Sequence, residues 1–541
     1  MASSSWPRQS SEVPILHSSR SSQSLNLEEQ QFTSPTTTTD DTSHPDFNRP
    51  RATHSFDYRL EDDDPLADDG ALSSPFRSQH ESLLSRIEAP AVTLAGIESD
   101  VPDGALPGSP PAEKNGMKMA FMNMANSIIG AGIIGQPYAM LQCGLVAGVT
   151  LLIVLTFVID WTIRLMVVNA KLSGTNSYQA TVSACFGRGG YLAISLAQGL
   201  FAFGGSIAFT VIIGDTIPHV MLALFPGAAN IPVLNLLTMR SPVMIICVLF
   251  ISFPLSLSKN IANLAKASLM ALISMFVIII SVVVEGIRAP SELRGNFSTP
   301  LWTINSGVFQ GIGVISFAFV CHHNSLLIYG ALRKPTLDRF ARVTHWSTGV
   351  SMLACMTLAL AGFLSFGDRT DGNVLNNFDA SNVMINIARF CFGFNMLTTF
   401  PLEIFVCREV LLDYIYSTFI PLPSPSSTSA SSPSSPSSPI IDPFAPREPS
   451  LRAHRLTTAG LTIITLLVAL VVGNLGIVLE VVGSTSACML AYILPPLCYL
   501  KLASSQESRR WRARAGPIAC VVFGVTVMVV STGLSIAKAF D

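Results

Sequence analysis

Asn126-Ser-Ile-Ile-Gly-Ala-Gly-Ile-Ile-Gly-Gln-Pro137 lies in the middle of the first long apolar run of the chain. In lipid a helix must satisfy its own backbone hydrogen bonds, so Gly130, Gly132, Gly135 and Pro137 within two turns make a costly defect unless that backbone is put to use. The stretch therefore reads as a binding site on a broken helix. Such a break turns free N–H groups toward a carboxylate and free carbonyls toward an ammonium or a small cation.

Working outward, the rest of the chain has the composition of a membrane carrier. Of its 541 residues 49% are hydrophobic and only 13% charged, with a mean hydropathy of +0.48; a soluble domain carries roughly a quarter charged residues. A net charge of −2 leaves no basic surface for nucleic acid. The ten cysteines fall almost entirely in apolar runs and suggest no disulfide scaffold. The histidines lack metal-ligand spacing, and the glycine cluster lacks the lysine of a phosphate loop, so no enzyme, cofactor or metal centre is expected.

Residues 1–115 are rich in Ser, Thr, Pro, Asp and Glu and are expected to be a disordered tail. Serines at Ser18 to Ser24 are candidate phosphorylation sites, and the tail is a candidate docking segment for a cytosolic sorting or regulatory partner. No charged-then-apolar leader opens the chain, so the first membrane helix is expected to direct insertion. A Ser/Pro-rich linker spans residues 421–455 and divides a transport domain into residues 116–420 and 456–541.

Between these segments about eleven apolar stretches reach the roughly 20 residues needed to cross a bilayer. The third is read as Tyr191 to Ala223, the ninth as Thr458 to Leu479 and the tenth as Val481 to Leu500, with Glu480 between the last two. With the N-terminus cytosolic, Lys171, Arg188, Lys259, Lys266, Arg333, Lys334, Arg339, Arg342, Arg408, Lys501 and Arg509 share the cytosolic side, whereas only Arg240, Arg288, Arg294, Arg369 and Lys538 fall opposite. This topology puts the sequon Asn296-Phe-Ser298, a candidate glycosylation site, on the lumenal or extracellular face. The sixth stretch has its own polar interruption, Ser316 to Ser325, five helices after the first. The fold class is thus an all-α polytopic membrane protein, a five-plus-five inverted repeat with broken first and sixth helices and one extra helix at the end.

Four segments carry a resemblance: Asn126 to Tyr138, Asp160-Trp-Thr-Ile-Arg164, Ile213-Gly-Asp-Thr-Ile-Pro218 and His322-His-Asn-Ser-Leu-Leu-Ile-Tyr-Gly330. Together they resemble the amino acid/auxin permease family, and within it the fungal vacuolar amino-acid transporters and the animal sodium-coupled neutral amino-acid transporters. The resemblance covers Lys114 to the C-terminus apart from the linker. It implies a LeuT-like, APC-type fold and secondary active amino-acid transport by alternating access. It suggests a vacuolar membrane, with the plasma membrane or another endomembrane as the alternative. It also implies that Ser127, Gly130, Ala131 and Gly132 offer backbone N–H groups to a substrate carboxylate, while carbonyls near Ser316, Phe317, Ala318 and Phe319 face its amine.

The coupling ion is read as Na+ or H+. Relatives that use sodium imply Asn126 with Thr398 and Thr399, although a membrane threonine commonly bonds its own backbone one turn back. Proton candidates are His322 and His323, with Asp215, His219 and Glu403. Each acid has a plainer alternative: Asp160 pairs with Arg164 at i, i+4, Asp215 anchors a helix end with His219, and Glu403 pairs with Arg408 near the cytosolic interface. A second function compatible with the sequence is a transporter-like nutrient sensor that signals through the tail.

Overall fold

The first apolar run folds as two short helices, α1 (Met117–Ile128) and α2 (Gln136–Cys143), joined by a 3-10 turn at Ala131–Gly135. Pro137 sits in the first turn of α2, where its missing N–H costs no bond. Our computed structural model describes residues 116–257, 268–297, 301–419, 450–503 and 511–540. The tail 1–115 with Ser18 to Ser24, the linker residues 421–449, and Lys259, Lys266, Ser298 and Arg509 lie outside the described residues.

The other helices follow as α3 (Leu145–Ser173), α4 (Tyr178–Leu224), α5 (Pro232–Asn235), α6 (Arg240–Cys247), α7 (Phe253–Ser256) and α8 (Ser268–Arg288) in the first half. The second half runs α9 (Val308–Phe319), α10 (His322–Ala331), α11 (Leu337–Phe366), α12 (Val383–Phe419), α13 (Leu451–Val471), α14 (Leu475–Val482) and α15 (Leu494–Leu502), with α16 (Trp511–Phe540) at the end. Among the described residues nine helices are long and apolar enough to cross a bilayer, and a bent pair, residues 232–238 with 240–256 at 91°, makes a tenth. Neither α1 (12 residues) nor α2 (8 residues) spans alone, but across their break they supply an eleventh crossing. Each half holds five crossings and begins with a broken one, so the two halves run in opposite senses through the membrane.

Exposure follows the logic of lipid rather than water. Phe157 (67%), Phe250 (74%) and Val471 (87%) stand exposed on the outside, while Asp160, Arg389 and Arg408 are buried within the bundle. Arg389 is satisfied there: its guanidinium donates to Asn386 Oδ1 at 2.7 Å and to the carbonyls of Leu375 at 2.8 Å and Phe378 at 2.9 Å, fastening the loop before α12.

Two boundaries differ from expectation. The third crossing begins at Tyr178, with the Ser177 hydroxyl accepting the Ala180 N–H at 3.2 Å, and bends at Gly187, whose φ of 62° suits glycine. Hydropathy alone misses this leading segment because it is partly polar. The ninth and tenth crossings part at residues 472–474, not at Glu480. Asn474 caps α14 by accepting the Gly476 N–H at 2.7 Å. Glu480 is buried inside α14, where Ser535 of α16 donates to it at 2.6 Å.

Inside the bundle α12 packs on α4 and α8, α1 on α11, and α9 on α2, α14 and the segment after α14. That segment holds two π-helical turns, Gly483–Ala487 and Met489–Ile493. Their displaced carbonyls find side-chain donors: Tyr178 Oη gives its proton to Leu490 O at 2.8 Å, and Cys520 Sγ to Tyr492 O at 3.5 Å. Gly483 lies against the backbone of Gly313, closer than any side chain permits.

Candidate functional site

Both breaks lie side by side at the centre of the bundle. On the first, Ile129 N–H still reaches Ala125 O at 2.8 Å, but Gly130 N–H turns back to Ile128 O at 2.9 Å and the helix stops. Ala131 and Gly132 open the following 3-10 turn, where N–H groups have no partner within the turn. Gln136 holds the turn by donating to Gly132 O at 3.1 Å. On the second break, the last bond of α9 runs from Val320 N–H to Ser316 O at 3.1 Å, and Val320 is extended with ψ 106°. The carbonyls of Phe317, Ala318 and Phe319 thus end α9 without a helical partner.

Gly132 is where the two breaks touch. A Cβ on it would stand 2.6 Å from Ala318 Cα and 2.7 Å from Ala318 Cβ, contacts that no real side chain makes. Beside this contact Asn324 Nδ2 donates to Ser127 Oγ at 2.9 Å and ties α10 to α1. The donor end of one break therefore lies against the acceptor end of the other.

A cavity of about 210 Å³ opens from this point. One water needs roughly 10–15 Å³ by such a measure, so the space suits a small organic solute. Its walls come from the end of α1 and the break after it, the α3–α4 connection, α4, α8, the end of α9, α10 and α12. They include Asn126, Ser127, Gly130, Ala131, Gly132, Phe317, Ala318, Thr398 and Thr399 of the expected residues.

Three expected residues are not on this wall. Ser316 Oγ donates to Ile312 O at 2.7 Å and lies 3.0 Å from Tyr492 Oη, and Phe319 is fully buried behind α9. His322 Nε2 meets Thr162 Oγ1 at 2.9 Å on α3, and its neighbour His323 faces the cavity, 5.6 Å from the Phe201 ring. Successive helical side chains point about 100° apart, so only one of two adjacent histidines can face a given wall. The backbone placement differs too: Ser127 lies within α1, so its N–H is held in the helix and its hydroxyl accepts from Asn324.

The hydroxyls also make local bonds. Thr398 Oγ1 donates to Asn395 O at 3.0 Å and Thr399 Oγ1 to Asn395 O at 2.8 Å, which leaves oxygen lone pairs directed outward. Asp160 is held by Arg164 Nη2 at 2.9 Å and by His345 Nδ1 at 2.9 Å, an ion pair away from the cavity. Asp215 does not pair with the His219 side chain through its carboxylate. His219 reaches the Asp215 backbone oxygen, and the carboxylate takes Arg240 at 3.0 Å and Asn373 at 3.4 Å. Arg408 turns to Glu409 at 3.5 Å, which leaves Glu403 on the cavity wall. Asn296 is exposed in the loop after α8.

Sequence reasoning missed the polar groups that α4 and its approach bring in: Asn176, Gln179 and Gln198, with Gln179 donating to Gln198. Asn176 and Gln179 precede the hydrophobic part of α4 and Gln198 lies within it, and no pattern there marks them. Asn324 was visible within the quoted His322 segment, but its partner on α1 was not.

A family model described as transmembrane amino acid transporter protein matches residues 113–537. Vacuolar amino acid transporter 2 of Saccharomyces cerevisiae is 40% identical over 430 residues, 79% of this chain and 85% of the relative. A Danio rerio protein provisionally named sodium-coupled neutral amino acid transporter 11 is 37% identical, over 76% of this chain and 84% of its own. Among solved structures, the crystal structure of a mutant manganese transporter of Eremococcus coleocola is similar at a TM-score of 0.47 and 14% identity, over 82% of this chain and 91% of that one. With its broken helices, central cavity and family match over most of its length, the chain is an integral membrane protein of the transmembrane amino acid transporter family, and a transporter rather than an enzyme.

Proposed function

We propose that the protein is a secondary active transporter that carries amino acids across the vacuolar membrane by alternating access, driven by H+ or Na+. The observation that carries this reading is the meeting of the two breaks at Gly132 and Ala318 beside a cavity of about 210 Å³. A zwitterion needs donors and acceptors together in a low-dielectric site. The Ala131 and Gly132 N–H groups receive its carboxylate, and the carbonyls ending α9 at Phe317 and Ala318 receive its amine. Phe317, packed on Phe201 at 5.4 Å, covers the bound molecule.

The cavity extends toward the face that holds the start of α1 and the α3–α4 connection. At the other face Arg240 joins Asp215 at 3.0 Å and Val472 O at 3.2 Å, clamping α4, α6 and the α13–α14 connection together. With the N-terminus in the cytosol, this is the cytosol-facing stage of the cycle. Transport requires that substrate and ion together stabilise a stage closed on both faces.

The name of the yeast relative supports the vacuolar membrane, and the name of the Danio rerio relative supports sodium as much as an acidic lumen would support protons. Asn126, Thr398 and Thr399 are the sodium candidates, and His323 replaces His322 as the histidine in reach of the cavity. The sensor alternative gains nothing from relatives named as transporters. The test is uptake of a radiolabelled amino-acid panel into proteoliposomes under separately imposed pH and Na+ gradients. Saturable uptake that follows one gradient is expected; no uptake under either gradient refutes transport.

A further inference from the structure

The cavity holds one acid for which the two breaks have no use. Among the described residues lining it, Glu403 of α12 is the only charged side chain, with no Lys or Arg beside it. Its carboxylate makes no ion pair or hydrogen bond among the described residues, since Arg408 is taken by Glu409 at 3.5 Å and by Thr458 Oγ1 at 3.1 Å. Opposite it stands Gly205 of α4. A Cβ on that glycine would lie 3.6 Å from the Glu403 carboxyl carbon and 3.7 Å from Oε2, so the carboxylate stands beside a helix face that carries no side chain. One turn before Gly205 on α4 is Phe201, whose ring lies 5.4 Å from Phe317 and 5.6 Å from His323 and forms an aromatic wall along the same face.

An amino acid's main-chain carboxylate and amine balance each other and are both accommodated at the breaks. A further carboxylate in a low-dielectric cavity calls for a positive partner, which a neutral side chain cannot supply. A long cationic side chain supplies both an aliphatic stem to lie on the aromatic wall and a charge for its end. We propose that Glu403 receives the side-chain cation of a basic amino acid, so that lysine- and arginine-type substrates are the preferred class. Resting as it does on the cavity being the amino-acid site, the proposal assigns specificity within that site.

The test is a competition between radiolabelled lysine, arginine and leucine for uptake by the purified full-length protein in proteoliposomes, comparing wild type with E403Q, E403D and Gly205→Val. Wild type is expected to prefer lysine and arginine. In E403Q the lysine-to-leucine uptake ratio falls about tenfold or more, as losing one partner of a buried charge pair does, and E403D restores part of it. Gly205→Val, which crowds the carboxylate while keeping its charge, lowers the same ratio and serves if E403Q proves unstable. Wild-type uptake of leucine without lysine or arginine overturns the proposal while leaving amino-acid transport intact. Equal losses of all substrates in E403Q with loss of the response to a pH gradient overturn it in favour of a proton carrier. Should wild type move no amino acid at all, the transport reading fails first and this inference with it.

Discussion

The two breaks at the centre of this molecule do the same job with opposite materials. The first is made with glycine and proline and ends in bare N–H groups at Ala131 and Gly132; the second has no glycine at the break, and leaves the carbonyls of Phe317, Ala318 and Phe319 without a helical partner. Glycine is needed only on the side that lets the other backbone in. At Gly132 the partner is the Ala318 backbone itself, whereas Ala318 already carries the small side chain that this approach tolerates.

The comparison is broken most severely at Gly132. Gly132→Val forces branched atoms into the Ala318 backbone, and overpacking of that kind costs about 3 kcal/mol, so uptake is expected to fall about a hundredfold in proteoliposomes at equal protein loading. If Gly132→Val transports at wild-type rates, the contact between the breaks is not what matters. Ala318→Val adds branched atoms from the other side, where the Ala318 side chain already lies against Gly132, and is expected to cost about tenfold in the same assay.

The link between the breaks is a smaller effect. Ser127→Ala and Asn324→Ala each remove one partner of a hydrogen bond worth about 1 kcal/mol and are expected to lower uptake about fivefold. Combined in one protein they should cost little more than either alone, because the bond can be lost only once. Additive losses would show that the two side chains act separately. The smallest effect sharpens the first break from within: Gly130 has φ −106°, and nothing lies within 4 Å of an added Cβ. Gly130→Ala should therefore leave uptake within about twofold of wild type, as small, well-accommodated changes do. A large loss would mean that Gly130 approaches the substrate itself.

The same contrast explains what could be read from the chain. The first break was legible because Gly130, Gly132, Gly135 and Pro137 violate helix chemistry openly. At the second break a polar run gave the location but not the facing. Where a helix stops, its rotation is set by the neighbours it meets, so Ser316 turned to Tyr492, His322 to Thr162, and Asn324 to Ser127. The pairing of Glu403 with Arg408 failed for a related reason. Five residues along a helix is more than one turn, and the guanidinium found its chain neighbour Glu409 together with Thr458 and the Ser256 carbonyl, the last two contributed by helices distant in sequence. The crossings themselves were legible from apolar length, except where polar residues lead into α4 and where an asparagine cap, rather than a charge, divides α13 from α14.

The contact of Gly132 with Ala318 also has a mechanical side. With no side chains between them, the two backbones meet at a fulcrum, and the helices leading away from it are lever arms. The 12 residues of α1 make an arm of about 18 Å at 1.5 Å per residue. A tilt of about 10° at the fulcrum displaces the far end of that arm by about 3 Å, roughly the width of a water molecule. Small adjustments at the contact are thereby geared up to about 3 Å at the far end of α1, and the residue that sets the gearing is the one with no side chain.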